Sequence, residues 1–121
     1  MVTTDTGKSG LGLLMAGTSV LYPRYCGIGS GSGTALVTDT ALSSEPGSRV
    51  DYSSRDVSVQ KEVSWTFDFS STRMSGLSFT EFGIFDTQVR ASGTMFNREG
   101  FGPVTFDGGN ELQIQVTYRV F

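Results

Sequence analysis

Two stretches of the chain alternate between apolar and polar residues. In residues 57–69, VSVQKEVSWTFDF, Val63, Trp65, Phe67 and Phe69 fall on one face and Glu62, Ser64, Thr66 and Asp68 on the other. In residues 111–120, Leu112, Ile114, Val116, Tyr118 and Val120 alternate with Glu111, Gln113, Gln115, Thr117 and Arg119. A period of two is the mark of a strand with one face on a core. Residues 77–86, LSFTEFGIFD, predict a third strand, but the apolar positions change face around Glu81, from Leu77 and Phe79 to Phe82 and Ile84. That slip predicts a bulge or burial on both faces. Shorter strands are predicted over 20–28, 49–54 and 93–98. Ala91-Ser92-Gly93 and Asp107-Gly108-Gly109-Asn110 mark turns.

Helical spacing occurs once. In residues 10–17, GLGLLMAG, Leu11, Leu14 and Met15 share a face, with Ser9 as cap and Gly17 as stop. Internal glycines limit it to one or two turns. Residues 1–9 are polar and predict a flexible arm. Residues 29–48 carry no strand pattern and predict a long irregular strap. The pattern as a whole predicts an all-β fold: a single antiparallel β-sandwich or flattened barrel over residues 10–121, with a short N-terminal helix and that strap.

Composition narrows the chemistry. The 121 residues suit one domain, and there is no histidine and one cysteine, Cys26. Ser-His-Asp and Cys-His catalysis, histidine-ligated metals and an intrachain disulfide are thereby excluded. The net charge of −3 and the scattered cations disfavour nucleic acid as a partner. No segment approaches the ~20 apolar residues of a membrane helix, and residues 1–10 lack the pattern of a secretory signal. No cofactor or metal is expected.

The glycine-rich stretch GIGSGSGTA, with Gly27, Gly29, Gly31 and Gly33, invites a phosphate-binding reading. No lysine follows Gly33, Ser32 stands at the last glycine position of a dinucleotide fingerprint, and TALVTDT is a poor helix start. The stretch predicts instead a turn or a close backbone approach, the hinge at which the strap leaves a strand. Gly7-Lys8-Ser9 lacks the upstream glycine of a phosphate loop. The carboxylates Asp51, Asp56, Glu62, Asp68, Asp86, Asp107 and Glu111 fall on polar faces or turns. Glu81 lies between Phe79 and Phe82, so it needs a partner if buried, and Arg49 or the backbone of 40–49 is expected to supply it. No calcium-loop spacing is present. Phe96, Phe101 and Phe106 lie in loop-rich sequence and, with Leu11, Leu14 and Met15, are expected to contact another subunit.

The order of segments resembles a family of small tailed-phage virion proteins described as tail-fibre or tail-associated. The resemblance rests on Ile28-Gly29-Ser30-Gly31, Thr38-Asp39-Thr40-Ala41-Leu42, Glu45, Arg49, Glu81-Phe82-Gly83-Ile84-Phe85 and Arg98, spread over residues 10–121. Ser30 departs from the family's usual threonine, and Pro46 interrupts the segment between Glu45 and Arg49.

The resemblance implies a structural role without catalysis, in a virion assembled in the host cytoplasm, as a homo-oligomer (trimer or hexamer) docked to other virion proteins. A capsid decoration or cement protein and a receptor- or carbohydrate-binding module that meets the host surface are the alternatives. The strap is expected to run over a subunit surface, anchored by Leu42, with Glu45 and Arg49 near the strand of Glu81.

Overall fold

The computed structural model describes residues 2–17, 22–31, 35–42, 44–45, 49–70, 78–90 and 92–119. Its elements are β1 (Val2–Thr3), α1 (Asp5–Met15), β2 (Tyr25–Gly29), β3 (Val50–Asp51), β4 (Ser54–Asp56), β5 (Glu62–Ser70), β6 (Ser78–Phe85), β7 (Met95–Thr105) and β8 (Glu111–Arg119). Two antiparallel sheets, in the orders β1-β7-β6-β2-β3 and β4-β5-β8, form an all-β, sandwich-like fold with a short N-terminal helix.

The alternating stretches pair with each other. β5 and β8 run in register, with Trp65 opposite Val116, Phe67 opposite Ile114 and Phe69 opposite Leu112. Opposite residues of an antiparallel pair share a face, so this row turns inward together. It meets Cys26, Ile28, Phe79, Phe82 and Ile84 of the other sheet in one buried cluster. The slip at Glu81 corresponds to a register shift between Phe79 and Glu81 in the β6–β7 pair. It returns Phe79 to the core face after Phe82 and Ile84 have taken the opposite parity.

The strand expected over 49–54 is two strands in two sheets. β3 pairs with β2 in the larger sheet, and β4 pairs with β5 in the smaller. The chain thus turns a corner of the sandwich between Asp51 and Ser54.

Three expectations are corrected. The polar residues 2–9 are not a flexible arm: β1 pairs with β7, and α1 already begins at Asp5. The Thr4 hydroxyl accepts the Gly7 N–H at 3.0 Å, and Asp5 adds an acidic side chain to the first turn. The Thr4 and Asp5 N–H groups donate to Phe96 and Val37 carbonyls at 2.9 and 2.7 Å. Gly17, at φ 73°, ends the helix in the left-handed region. Second, Phe96 and Phe106 are not surface contacts. Phe106 lies edge-on to Phe79 in the core with centroids 5.6 Å apart, and Phe96 is buried where α1 crosses β7. Third, β7 continues far past residue 98, which carries Phe101 onto the core beside Phe82. β1 covers β7 only at Asn97 and Arg98, so Pro103 falls where β7 is a sheet edge and its missing N–H costs no ladder bond.

Candidate functional site

Of the residues that carry the resemblance, Ile28, Phe82 and Ile84 turn into the core, while Gly29, Asp39, Leu42, Glu45, Arg49, Glu81, Gly83, Phe85 and Arg98 come together on the outer face of the larger sheet. In β2, Cys26 and Ile28 turn inward, so Gly27 and Gly29 present bare backbone outward. Across the β2–β6 pair, Gly27 stands opposite Gly83 and Gly29 opposite Glu81. The segment holding Leu42, Ser44 and Glu45 lies on this floor. The Ser30 N–H donates to the Ser44 carbonyl at 3.0 Å. A Cβ on Gly29 would overlap the Ser44 carbonyl oxygen, and one on Gly27 would overlap the Glu45 carboxylate. A Cβ on Gly83 would press on Met95 Sδ at 3.0 Å and on the Phe85 ring at 3.2 Å.

Gly27 and Gly29 are therefore strand residues that make room for a covering segment. They do not form the expected hinge, and neither has a positive φ. The Gly31 carbonyl accepts the Thr80 hydroxyl at 2.6 Å, and Gly33 lies outside the described residues.

Arg49 is the centre of one clamp. Its side chain is 1% exposed. Nε and Nη2 donate to the two Glu45 carboxylate oxygens at 2.7 and 3.1 Å, the bidentate fork that suits guanidinium to carboxylate. Nη1 donates to the Thr87 and Ser92 carbonyls, each at 2.9 Å. The guanidinium carbon sits 3.4 Å from the centroid of the Phe85 ring. One side chain thus ties the strap, the 87–92 loop and β6 together. Leu42 packs beside this clamp with Phe85 and Met95.

Arg98 is the centre of the second. Its Nη1 donates to Asp39 at 2.9 Å, and its Nε lies 3.4 Å from Glu81. Glu81 is buried, on the face that the strap covers, and so it has the partner a buried carboxylate needs, but its cationic partner is Arg98 and not the expected Arg49. The reason is topological. Gly83 stands opposite Arg98 in the β6–β7 pair, so Arg98 reaches Glu81 along the same face, while Arg49 is engaged by Glu45. The Leu36 N–H, more than Arg98, holds the Asp39 carboxyl below its ordinary range. Burial opposes the charge on Arg98, but Asp39 and Glu81 outweigh it and leave its pKa raised. The Asp39–Arg98 pair is the contact that sequence reasoning missed. Both residues belong to the motif, yet nothing local in the chain brings them together.

A separate feature lies beside α1. A groove of about 1100 Å³ runs between α1 and the β5–β8 sheet. Leu11, Leu14 and Met15 line it from the helix, and Tyr22, Trp65 and Tyr118 from the other side. Trp65 and Tyr118 meet edge to face at 5.3 Å, and the Tyr118 hydroxyl donates to Asn97. Burial pushes the Tyr118 hydroxyl pKa up. Met15, Val57 and Val59 are exposed at the rim. The helical residues expected to form a contact surface are therefore gathered at one site, while Phe96 and Phe106 are elsewhere, in the interior.

The two buried carboxylates, Glu45 and Glu81, each face an arginine beneath the strap and do not line this groove. Among the described residues, no three His, Cys, Asp or Glu side chains are grouped so as to hold a metal ion. Among the described residues, no helix is long and apolar enough to cross a membrane. No family model, curated protein or solved structure matches the chain.

Proposed function

We propose that this chain is a non-enzymatic structural component of a tailed-bacteriophage particle, tail-associated as a fibre, baseplate or adaptor subunit. It works by docking, as a trimer or hexamer, to copies of itself and to other particle proteins assembled in the host cytoplasm. One observation carries the reading. The dispersed residues of the family-like pattern, from Gly29 through Asp39, Leu42, Glu45 and Arg49 to Glu81, Phe85 and Arg98, converge on the two clamps that hold the strap on the sheet. A pattern whose members meet in space is the signature of a shared fold device. The apolar groove along α1 supplies a surface suited to docking.

The test is a mass measurement on purified particles and on their separated tails and capsids. A low, fixed copy number in the tail fraction supports the reading. Copies in proportion to the capsid shell would move the chain to the decoration or cement class. Absence from the particle, or turnover of a glycoside substrate by the isolated chain, would overturn it.

A further inference from the structure

The two sheets end in edges of very different length. At the outside of the larger sheet, β1 and β3 are two residues each, and in the smaller sheet β4 has three. The stretch of β7 beyond β1 is interrupted by Gly100, Gly102 and Pro103. Short edges, glycine and proline are the usual protection against unwanted strand pairing. β8 has none of it. It is nine residues long, ELQIQVTYR, with no proline, glycine or lysine. Among the described residues β5 is its one strand partner.

The sequence of that edge is complementary to itself. We propose that β8 pairs antiparallel with β8 of a second copy of this chain, about a two-fold axis through Gln115. In that register Glu111 stands opposite the second copy's Arg119, and Arg119 opposite its Glu111. Gln113 faces Thr117, and both charge pairs close at once. A slip of two residues in either direction leaves both pairs unmade.

The inward face fits as well. Ile114 meets Val116, both already buried, and Leu112 meets Tyr118, the two inward residues that β5 leaves only half-buried. Arg119 already pairs with Glu62 across β5, so it would bridge two carboxylates at the seam. The two small sheets become one continuous sheet across an isologous contact. Such a two-fold belongs to a dimer or to a dihedral hexamer, and not to a simple trimer. The inference stands on the edge strand alone and does not depend on the protein's place in a particle.

Cysteine cross-linking in solution tests it. Gln115 is exposed on β8, and the native Cys26 is fully buried and does not compete. Gln115→Cys is expected to form a disulfide-linked dimer on mild oxidation. Glu111→Cys and Arg119→Cys are each expected to stay unlinked, while the double variant links. Glu111→Arg sets like charges face to face and is expected to halve the sedimenting mass, or to raise the dissociation constant several-fold. A wild-type monomer at the highest concentration reached overturns the proposal. So does a natively folded Gln115→Cys protein that remains unlinked, or single variants that link as readily as the double.

Discussion

A side-chain carbon on Gly29 would occupy the space held by the carbonyl oxygen of Ser44. The obstacle is backbone, so it cannot swing aside as the end of a side chain would. Gly29→Ala is therefore expected to lose about 1–3 kcal/mol, as overpacking does in a closed site. Gly27→Ala meets the Glu45 carboxylate, which Arg49 holds in place, and falls in the same range. Gly12, on the exposed side of α1, has nothing within 4 Å of a would-be Cβ. Gly12→Ala is expected to gain up to about 1 kcal/mol of helix propensity. Urea melts of the three variants check the contrast in sign.

Removing the cation of the first clamp leaves a buried carboxylate without its counter-charge. Arg49→Met is expected to destabilise by about 3–5 kcal/mol. Adding Glu45→Gln removes that charge as well. The double variant should then be more stable than the sum of the single losses by about 0.5–3 kcal/mol. Additive losses in a double-mutant cycle would remove Glu45 from the account of Arg49.

Acid is expected to unfold the protein through its paired aspartates. Asp39 is held below its ordinary value by the Leu36 N–H and then by Arg98; Asp51 by Arg24; Asp68 by Ser53 and Gln113. With folded pKa values lowered, the unfolded chain takes up these protons first as pH falls. The stabilisation is present above the unfolded value near pH ~4 and is lost as pH drops through the folded values below it. Asp39→Asn should lower the urea midpoint at neutral pH and flatten its acid decline.

The Cys26 thiol is buried in the core, and burial raises its pKa well above the ordinary thiol range, with Glu45 adding to the shift. A thiol kept neutral and out of solvent does not attack a disulfide reagent. Labelling with such a reagent at mildly alkaline pH is expected to proceed only as fast as the structure opens. Rapid labelling of the native protein would contradict the buried position.

Legibility in the sequence followed burial on one face or two. β5 and β8 have one face on the core and one in water, so their period of two could be read directly. β2 and β6 are covered on both faces. Their outward positions hold Gly27, Gly29, Gly83 and Phe85, with Glu81 the one polar side chain among them, and the alternation disappears. Glu81's need for a partner was readable from Phe79 and Phe82. The identity of that partner was not, because it depends on how β6 and β7 register. Phe96 and Phe106 were misplaced because Gly100, Gly102 and Pro103 look like a loop, whereas β7 runs through them on an open edge. The start of α1 was obscured by Gly7, although Thr4 followed by Asp5 is a cap signal. Gly7 is the helix's one buried residue among those described, pressed against the Phe96 backbone.

The strap makes the larger sheet an inner layer, and it binds that layer in an unusual currency. Between Ala35 and Glu45 the described residues contain one buried apolar side chain, Leu42, while Asp39 and Glu45 bring charge to Arg98 and Arg49. Lifting the strap uncovers the small Leu42, Phe85 and Met95 cluster and returns the charges of Asp39, Glu45, Arg49, Glu81 and Arg98 to water, but leaves the larger core between the sheets closed. Such a segment detaches at a smaller free energy than the sandwich beneath it. Amide hydrogen exchange separates the two events. The Ser30 N–H, held by Ser44, exchanges at the rate of strap opening, ahead of the β5–β8 amides, which wait for global unfolding.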